Sequence, residues 1–290
     1  MQLELPKALL SMDLLTRRLA ALSRLADHER ALLLNCQQHF KCYMAGSEIS
    51  GTRDQLQRHT LIVSGWACRE RIMANGRRQL LAVLLPGDLI GGCINQRALD
   101  LVEVVAISNV RVMNVATLFR AVEDHPDEYP GIARGISLLS FCEEKRLLDH
   151  MMRLGSQPAL QRVAGFLLEL FQRCRAIGYV SGGSFVMPLT QEMLGNALGL
   201  SVVHVNRVMR QLKASNLIDL HAGIVNILDV AGLARVADLP PQETAGELRR
   251  RDWTAALPAE RGQSLTQAAA HDLPSIARRE LTALAAASNE

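Results

Sequence analysis

At 290 residues the chain is longer than one typical domain, and its 49% apolar content can fill at least two cores, so two folded domains with appendages are expected. Its formal charge of +3 identifies no partner, because phosphate is drawn to a local basic face rather than to a whole-chain total. Apolar stretches such as Leu80 to Pro86 fall far short of the ~20 residues of a spanning helix, and no cleavable signal pattern is visible, so a cytoplasmic protein with no membrane partner is expected.

From Leu14 to Phe40 apolar residues recur at three and four (Leu15, Leu19, Leu22, Leu25, then Leu32 and Leu33), which predicts two short helices, the second capped by Asp27. Beyond Gly46 short segments are separated by turn signals at Ser64-Gly65, Asn75-Gly76, Pro86-Gly87-Asp88 and Ser108-Asn109. Asn75-Gly76 suits a type I′ hairpin, in which both central residues take positive φ. Short, evenly spaced strands imply a β-sandwich or barrel over 46–116. A helix from Thr117 to His125 is stopped by Pro126, and a long one runs from Pro130 to about Leu154. Ile132, Ile136, Leu139, Leu147, Met151 and Leu154 make one apolar stripe on it, for which a second copy of the same helix is the economical partner. A further amphipathic helix spans Ala159 to Cys174, followed by a loop from Gly178 to Gly183. After Asp238 the chain is rich in Ala, Pro, Gln and charge, so 238–290 is expected to be a disordered tail.

The strongest signal is residues 189–212, LTQEMLGNALGLSVVHVNRVMRQL. Thr190 can cap a first helix, Gly199 breaks it, and Ser201 can cap a second, which is a helix-turn-helix. Spacings of three, four and seven put Val205, Val208, Met209 and Leu212 of the second helix on one face, the core face. Val203, Asn206, Arg207 and Arg210 lie opposite, with His204 and Gln211 beside them. An arginine can donate two hydrogen bonds to guanine, an asparagine can pair with adenine, and a valine methyl can touch that of thymine. Leu217-Ile218-Asp219-Leu220 and Ile224-Val225-Asn226-Ile227 flank Ala222-Gly223 and read as a hairpin wing, and Asp229 caps a closing helix. The candidate DNA contacts are Thr190, Gln191, Ser201, Val203, His204, Asn206, Arg207 and Arg210, with Arg210, further along the helix, placed for phosphate rather than base.

The order of helical lead, β-roll, long helix and winged helix resembles the Crp/Fnr family of bacterial transcription regulators. Gly65-Trp66, Asn75-Gly76-Arg77-Arg78-Gln79, Leu85-Pro86-Gly87-Asp88-Leu89-Ile90-Gly91 and the stretch from Leu189 to Ile218 carry the resemblance, which covers about 14–236. It implies an α+β fold: a cyclic-nucleotide-binding-like jelly-roll over 14–128, a dimerisation helix over 129–155 and a winged helix-turn-helix over 156–237. It also implies a homodimer whose paired recognition helices read a palindromic site on double-stranded DNA about one turn apart, roughly 34 Å. RNA polymerase would be a further partner of an activator.

Cyclic-nucleotide binders in the family carry a ribose-holding glutamate and a phosphate-pairing arginine, whose counterparts here are Gly92 and about Asp100. A carboxylate repels the phosphate and glycine offers no acceptor, so cyclic AMP is not the expected effector. The family's oxygen sensor holds an iron-sulfur cluster on cysteines before and inside the roll. Cys36 and Cys42 precede the roll here and Cys68 and Cys93 lie in it, but the upstream spacing does not match that sensor. No cofactor is therefore expected, an iron-sulfur cluster being the alternative. With Cys142 and Cys174 the six thiols form no Cys-x-x-Cys pair, which argues against a disulfide framework or a zinc finger. His39, His59, His150 and His204 are scattered and no phosphate-cradling Gly loop or Gly-x-Ser-x-Gly occurs, so no enzyme is expected. A second reading is a ligand-binding regulatory module that acts on a partner protein without specific DNA binding.

Overall fold

The computed structural model describes residues 11–35, 39–50, 59–91 and 102–238. The expected tail, apart from Asp238, lies outside them, as do Cys36, Gly92, Cys93 and Asp100. Two helices open the chain, α1 (Ser11–Leu22) and α2 (Asp27–Asn35). Asp27 is the first helical residue rather than the cap: the Glu29 carboxylate accepts the Ala26 N–H at 2.6 Å and that of Ile132 at 2.9 Å. Two residues on, a longer side chain reaches back to a free amide at the helix start, half of a capping box.

The β-region begins earlier than Gly46. Its strands are β1 (Phe40–Tyr43), β2 (Glu48–Ser50), β3 (Thr60–Ser64), β4 (Ala67–Ile72), β5 (Arg78–Leu84), β6 (Leu89–Ile90), β7 (Glu103–Ala106) and β8 (Val110–Asn114). They form two antiparallel four-stranded sheets, ordered β1-β8-β3-β6 and β2-β7-β4-β5. Alternation decides what each face covers. Ile62, Ala67, Leu84, Val104, Ala106, Val110 and Val112 fill the space between the sheets. Leu61, Val63 and Met113 point out of the first sheet into the helical lead.

The second sheet's outer face carries Cys68, Leu80 and Val83. Leu80 and Val83 share that face because the register breaks between Arg69 and Glu70, leaving Leu81 without a partner on β4. One unpaired residue converts a spacing of three into the same side of a pleat. At the β4–β5 hairpin the Gly76 N–H bonds Met73 O at 2.8 Å and the Met73 N–H bonds Arg77 O at 2.8 Å, and Gly76 alone among the turn residues has positive φ. This is a three-residue loop with a left-handed glycine, not type I′.

Helix α3 (Ala116–Asp124) leads into α4 (Pro130–Ser156), with Pro130 in its first turn. The expected single stripe on α4 divides. Ile132 and Leu139 are buried against α1, α2 and the first sheet, while Phe141, Leu147, Leu148, Met151 and Met152 are exposed. Phe141, Leu148 and Met152 recur at seven and four and form an apolar row left open from the middle of the helix toward its C-terminus.

The remaining elements build a compact head: α5 (Ala159–Ala176), β9 (Ser184–Val186), α6 (Gln191–Leu198), α7 (Val202–Ala214), β10 (Ile218–His221), β11 (Ile224–Ile227) and α8 (Val230–Val236). Its core is α5's Val163, Leu167 and Phe171 with Phe185, Leu198, Val205, Leu212, Val225 and Leu233. The same buried cluster continues without interruption into Trp66, Cys68, Leu80, Val83 and Leu85 of the β-roll.

Candidate nucleic-acid interface

Both helix starts of the 189–212 segment are capped as the residue types dictate. The Thr190 hydroxyl accepts the Met193 N–H at 3.1 Å, and the Ser201 hydroxyl accepts the His204 N–H at 3.2 Å. Between the helices Gly199 takes φ +65, a conformation that costs a side chain about 1–2 kcal/mol. Gly195 sits one turn earlier with the Leu200 N–H bonded to its carbonyl at 3.0 Å. A Cβ at Gly195 would lie 2.5 Å from the Leu200 carbonyl oxygen, so the turn closes this tightly only because no side chain is there. Sequence reasoning singled out Gly199 and missed Gly195, whose requirement is a close approach rather than a φ angle.

On α7, Val205, Val208, Met209 and Leu212 are buried, as their spacing predicts. Val203 is 70% exposed and Val202 43%. His204, Arg207, Arg210 and Gln211 are exposed, and Asn206 is half-buried. The helix carries His204, Arg207, Arg210 and Lys213 and no acid. Lys213 is spent on Asp219 at 2.7 Å, whereas among the described residues Arg207 and Arg210 have no ion-pair or hydrogen-bond partner. Two methyl-rich side chains and two guanidiniums with no partner among the described residues thus lie together on one short outer face, open to a ligand that offers both acceptors and methyl groups. Thr190 is exposed and Gln191 half-buried, at the start of α6.

Beside α7 lies the wing, a three-stranded sheet ordered β10-β11-β9. Here the two-residue type I′ turn does occur: His221 pairs with Ile224, and Ala222 and Gly223 take φ 48 and 77. Asp229 caps α8 by accepting the Gly232 N–H at 2.8 Å. Arg162 of α5 donates to Gln157 O at 2.7 Å and to Leu198 O at 3.1 Å, tying the junction after α4 to the end of α6.

Residues 161–236 match the Crp-like helix-turn-helix domain. The chain is 30% identical over 179 residues to the nitrogen fixation regulation protein FixK of Azorhizobium caulinodans, an alignment covering 61% of this chain and 70% of that one. It belongs to the Crp/Fnr family. The transcriptional activator protein FnrL of Cereibacter sphaeroides is 26% identical over 199 residues, 67% of this chain and 78% of its own. Among solved structures, that of FixK2 from Bradyrhizobium japonicum superposes with a TM-score of 0.57 at 24% identity, over 72% of this chain and all of that one. The α+β fold of β-rich region, long helix and helix-turn-helix is that of Crp/Fnr structures, and the chain is a DNA-binding transcription regulator of Crp/Fnr type. Regulators of this family bind DNA and act as dimers.

The fit of an iron-sulfur cluster can be tested on the two described thiols proposed for it. Cys42 is exposed on β1 in one sheet; Cys68 is buried on β4 in the other, its thiol pushed up to about 12 by burial and by the nearby Glu70 carboxylate. A cluster needs converging thiolates, and a thiol held protonated in an apolar core on the opposite sheet does not supply one. Among the described residues no group of three or more His, Cys, Asp or Glu side chains gathers to hold a metal ion, and no helix is long and apolar enough to cross a membrane.

Proposed function

We propose that this regulator reads a palindromic DNA site as a homodimer in the cytoplasm, with Asn206 and Arg207 on base edges, Val203 against a thymine methyl and Arg210 on phosphate. The observation that carries this reading is the outward, acid-free face of α7, on which Arg207 stands unpaired one to two turns from a capped N-terminus. That end of a recognition helix is the part that enters the major groove. The exposed hydroxyls of Thr190 and Ser201 accept from backbone amides and keep their own protons for phosphate oxygens, with His204 and Gln191 flanking. The open row of Phe141, Leu148 and Met152 on α4 supports self-association along that helix. Gly92 and about Asp100, where a nucleotide binder needs an acceptor and a cation, support an effector other than cyclic AMP, and the separated thiols support a regulator without a resident cluster. An activating role would add RNA polymerase as a partner.

Selection of duplexes from a random pool by the purified full chain tests the reading. One enriched palindrome is expected, and Arg207→Ala costs about 1–3 kcal/mol at that site and relaxes selectivity at one position per half-site. Unchanged specific affinity in Arg207→Ala removes the base-reading role.

A further inference from the structure

The Pro86-Gly87-Asp88 turn between β5 and β6 holds a deeply buried acid, and its partners come from three parts of the chain. Asp88 is 2% exposed. One carboxylate oxygen accepts from Arg18 of α1 at 2.5 Å; the other accepts the Leu85 N–H at 2.6 Å and the Arg173 guanidinium of α5 at 2.6 Å. Burial would raise this carboxyl's pKa, but the guanidiniums of Arg173, Arg18 and Arg146 outweigh it and hold the group well below the ordinary carboxylate range. Asp88 is therefore a fixed charge at any physiological pH.

Among the described residues, Arg173 is the head residue that donates to Asp88. It donates to Val83 O at 2.9 Å and pairs with Glu169 at 3.6 Å as well as with Asp88. Glu169 in turn binds Arg153 of α4 at 3.0 Å. A continuous run of charge thus passes from α1 through the β-roll to α5 and on to α4. A second polar tie lies on β5, where Gln79 Nε2 donates to Asn196 O of α6 at 2.6 Å. Between the two ties Leu80 and Val83 enter the core of the head.

We infer that the Asp88–Arg173 pair, seconded by Gln79, is a positioning device for DNA recognition: it fixes the head's orientation on the β-roll and thereby the separation of the two recognition helices in a dimer. Paired burial of charge is weak evidence of added stability, but it constrains placement: Arg173 Nη2 is shared between Asp88 Oδ2 and Val83 O while Nη1 faces Glu169, so the head must sit where all three acceptors are met. A dimer gains on a palindrome because the second half-site is bound intramolecularly, and that gain falls when the heads are no longer held at the matching span. The pair acts through α7 and touches no DNA.

This inference rests on the base-reading assignment above, and the test separates the two. Anisotropy titrations of the full chain use the selected palindrome and the same duplex cut to one half-site. Arg173→Met, which keeps the bulk and removes the guanidinium, is expected to weaken palindrome binding about tenfold while half-site affinity stays within about twofold, and Arg173→Lys to recover part of the loss. Gln79→Ala leaves no charge unpaired, is expected to shift palindrome binding several-fold in the same direction, and decides alone if Arg173→Met does not fold. Unchanged or tighter palindrome binding with a half-site that still discriminates overturns the positioning role. A wild-type protein that cannot tell the half-site from a scrambled duplex overturns the base-reading assignment, and this inference with it.

Discussion

Replacing Gly195 by alanine sets two effects of opposite sign against each other. Alanine is favoured over glycine inside a helix by about 0.8–1.0 kcal/mol, so propensity alone predicts a gain. The new Cβ, however, would lie 2.5 Å from the Leu200 carbonyl oxygen. Ordinary contact begins near 3.4 Å, so close to an ångström must be found, and the obstacle is backbone rather than a side chain that can rotate away. Relieving such an overlap in a packed turn costs about 1–3 kcal/mol, with this one at the upper end because Leu200 also bonds back to Gly195. The net loss is about 1–2 kcal/mol, or roughly 2–8 °C in Tm for a protein of this size. Gly155 in the last turns of α4 is the internal control: a Cβ there meets nothing within 4 Å, so Gly155→Ala gains up to about 1 kcal/mol. Thermal melts of the two variants side by side, followed by near-UV circular dichroism, read the difference. A Gly195→Ala protein as stable as Gly155→Ala refutes the claim that close approach, not helix propensity, sets this turn.

His150 on α4 supplies a pH dependence. Burial first, then the neighbouring Arg153, lowers its pKa from the ordinary 6.5. The folded protein therefore binds this proton less readily than the unfolded chain, so stability is intact above about pH 6.5 and declines as pH falls below it. His150→Gln flattens that decline in urea titrations at stepped pH; an unchanged slope assigns the decline elsewhere. For self-association, Leu148→Glu with Met152→Glu places two carboxylates in the row of α4 that is exposed in the single chain, and shifts sedimentation toward monomer while far-UV circular dichroism keeps the helical signal of the folded chain. A dimer unaffected by the pair places its interface off this row.

Local chemistry alone determined the helix-turn-helix, its capping residues and the division of α7 into a buried and an open side. Those features depend on neighbours within about one turn, and Ser201, Val205 and Val208 announce them by type and spacing. The same local rules failed where a choice lay between near-equivalent options. Asn75-Gly76 resembles a type I′ turn, yet that geometry fell to Ala222-Gly223, because the strands and their register, not the dipeptide, set the loop. The apolar stripe of α4 was visible but not its division, since periodicity records that a residue is apolar and not which surface arrives to cover it. Asp88 stood in the sequence as a turn residue; its partners Arg18 and Arg173 lie 70 and 85 positions away, a distance over which no pattern reaches. The unpaired Leu81, which turns Leu80 and Val83 toward the head, likewise exists only once β4 and β5 have paired. Residue type and periodicity settle what a segment can become, and the long-range packing of charge and side-chain volume settles how the segments are held to one another.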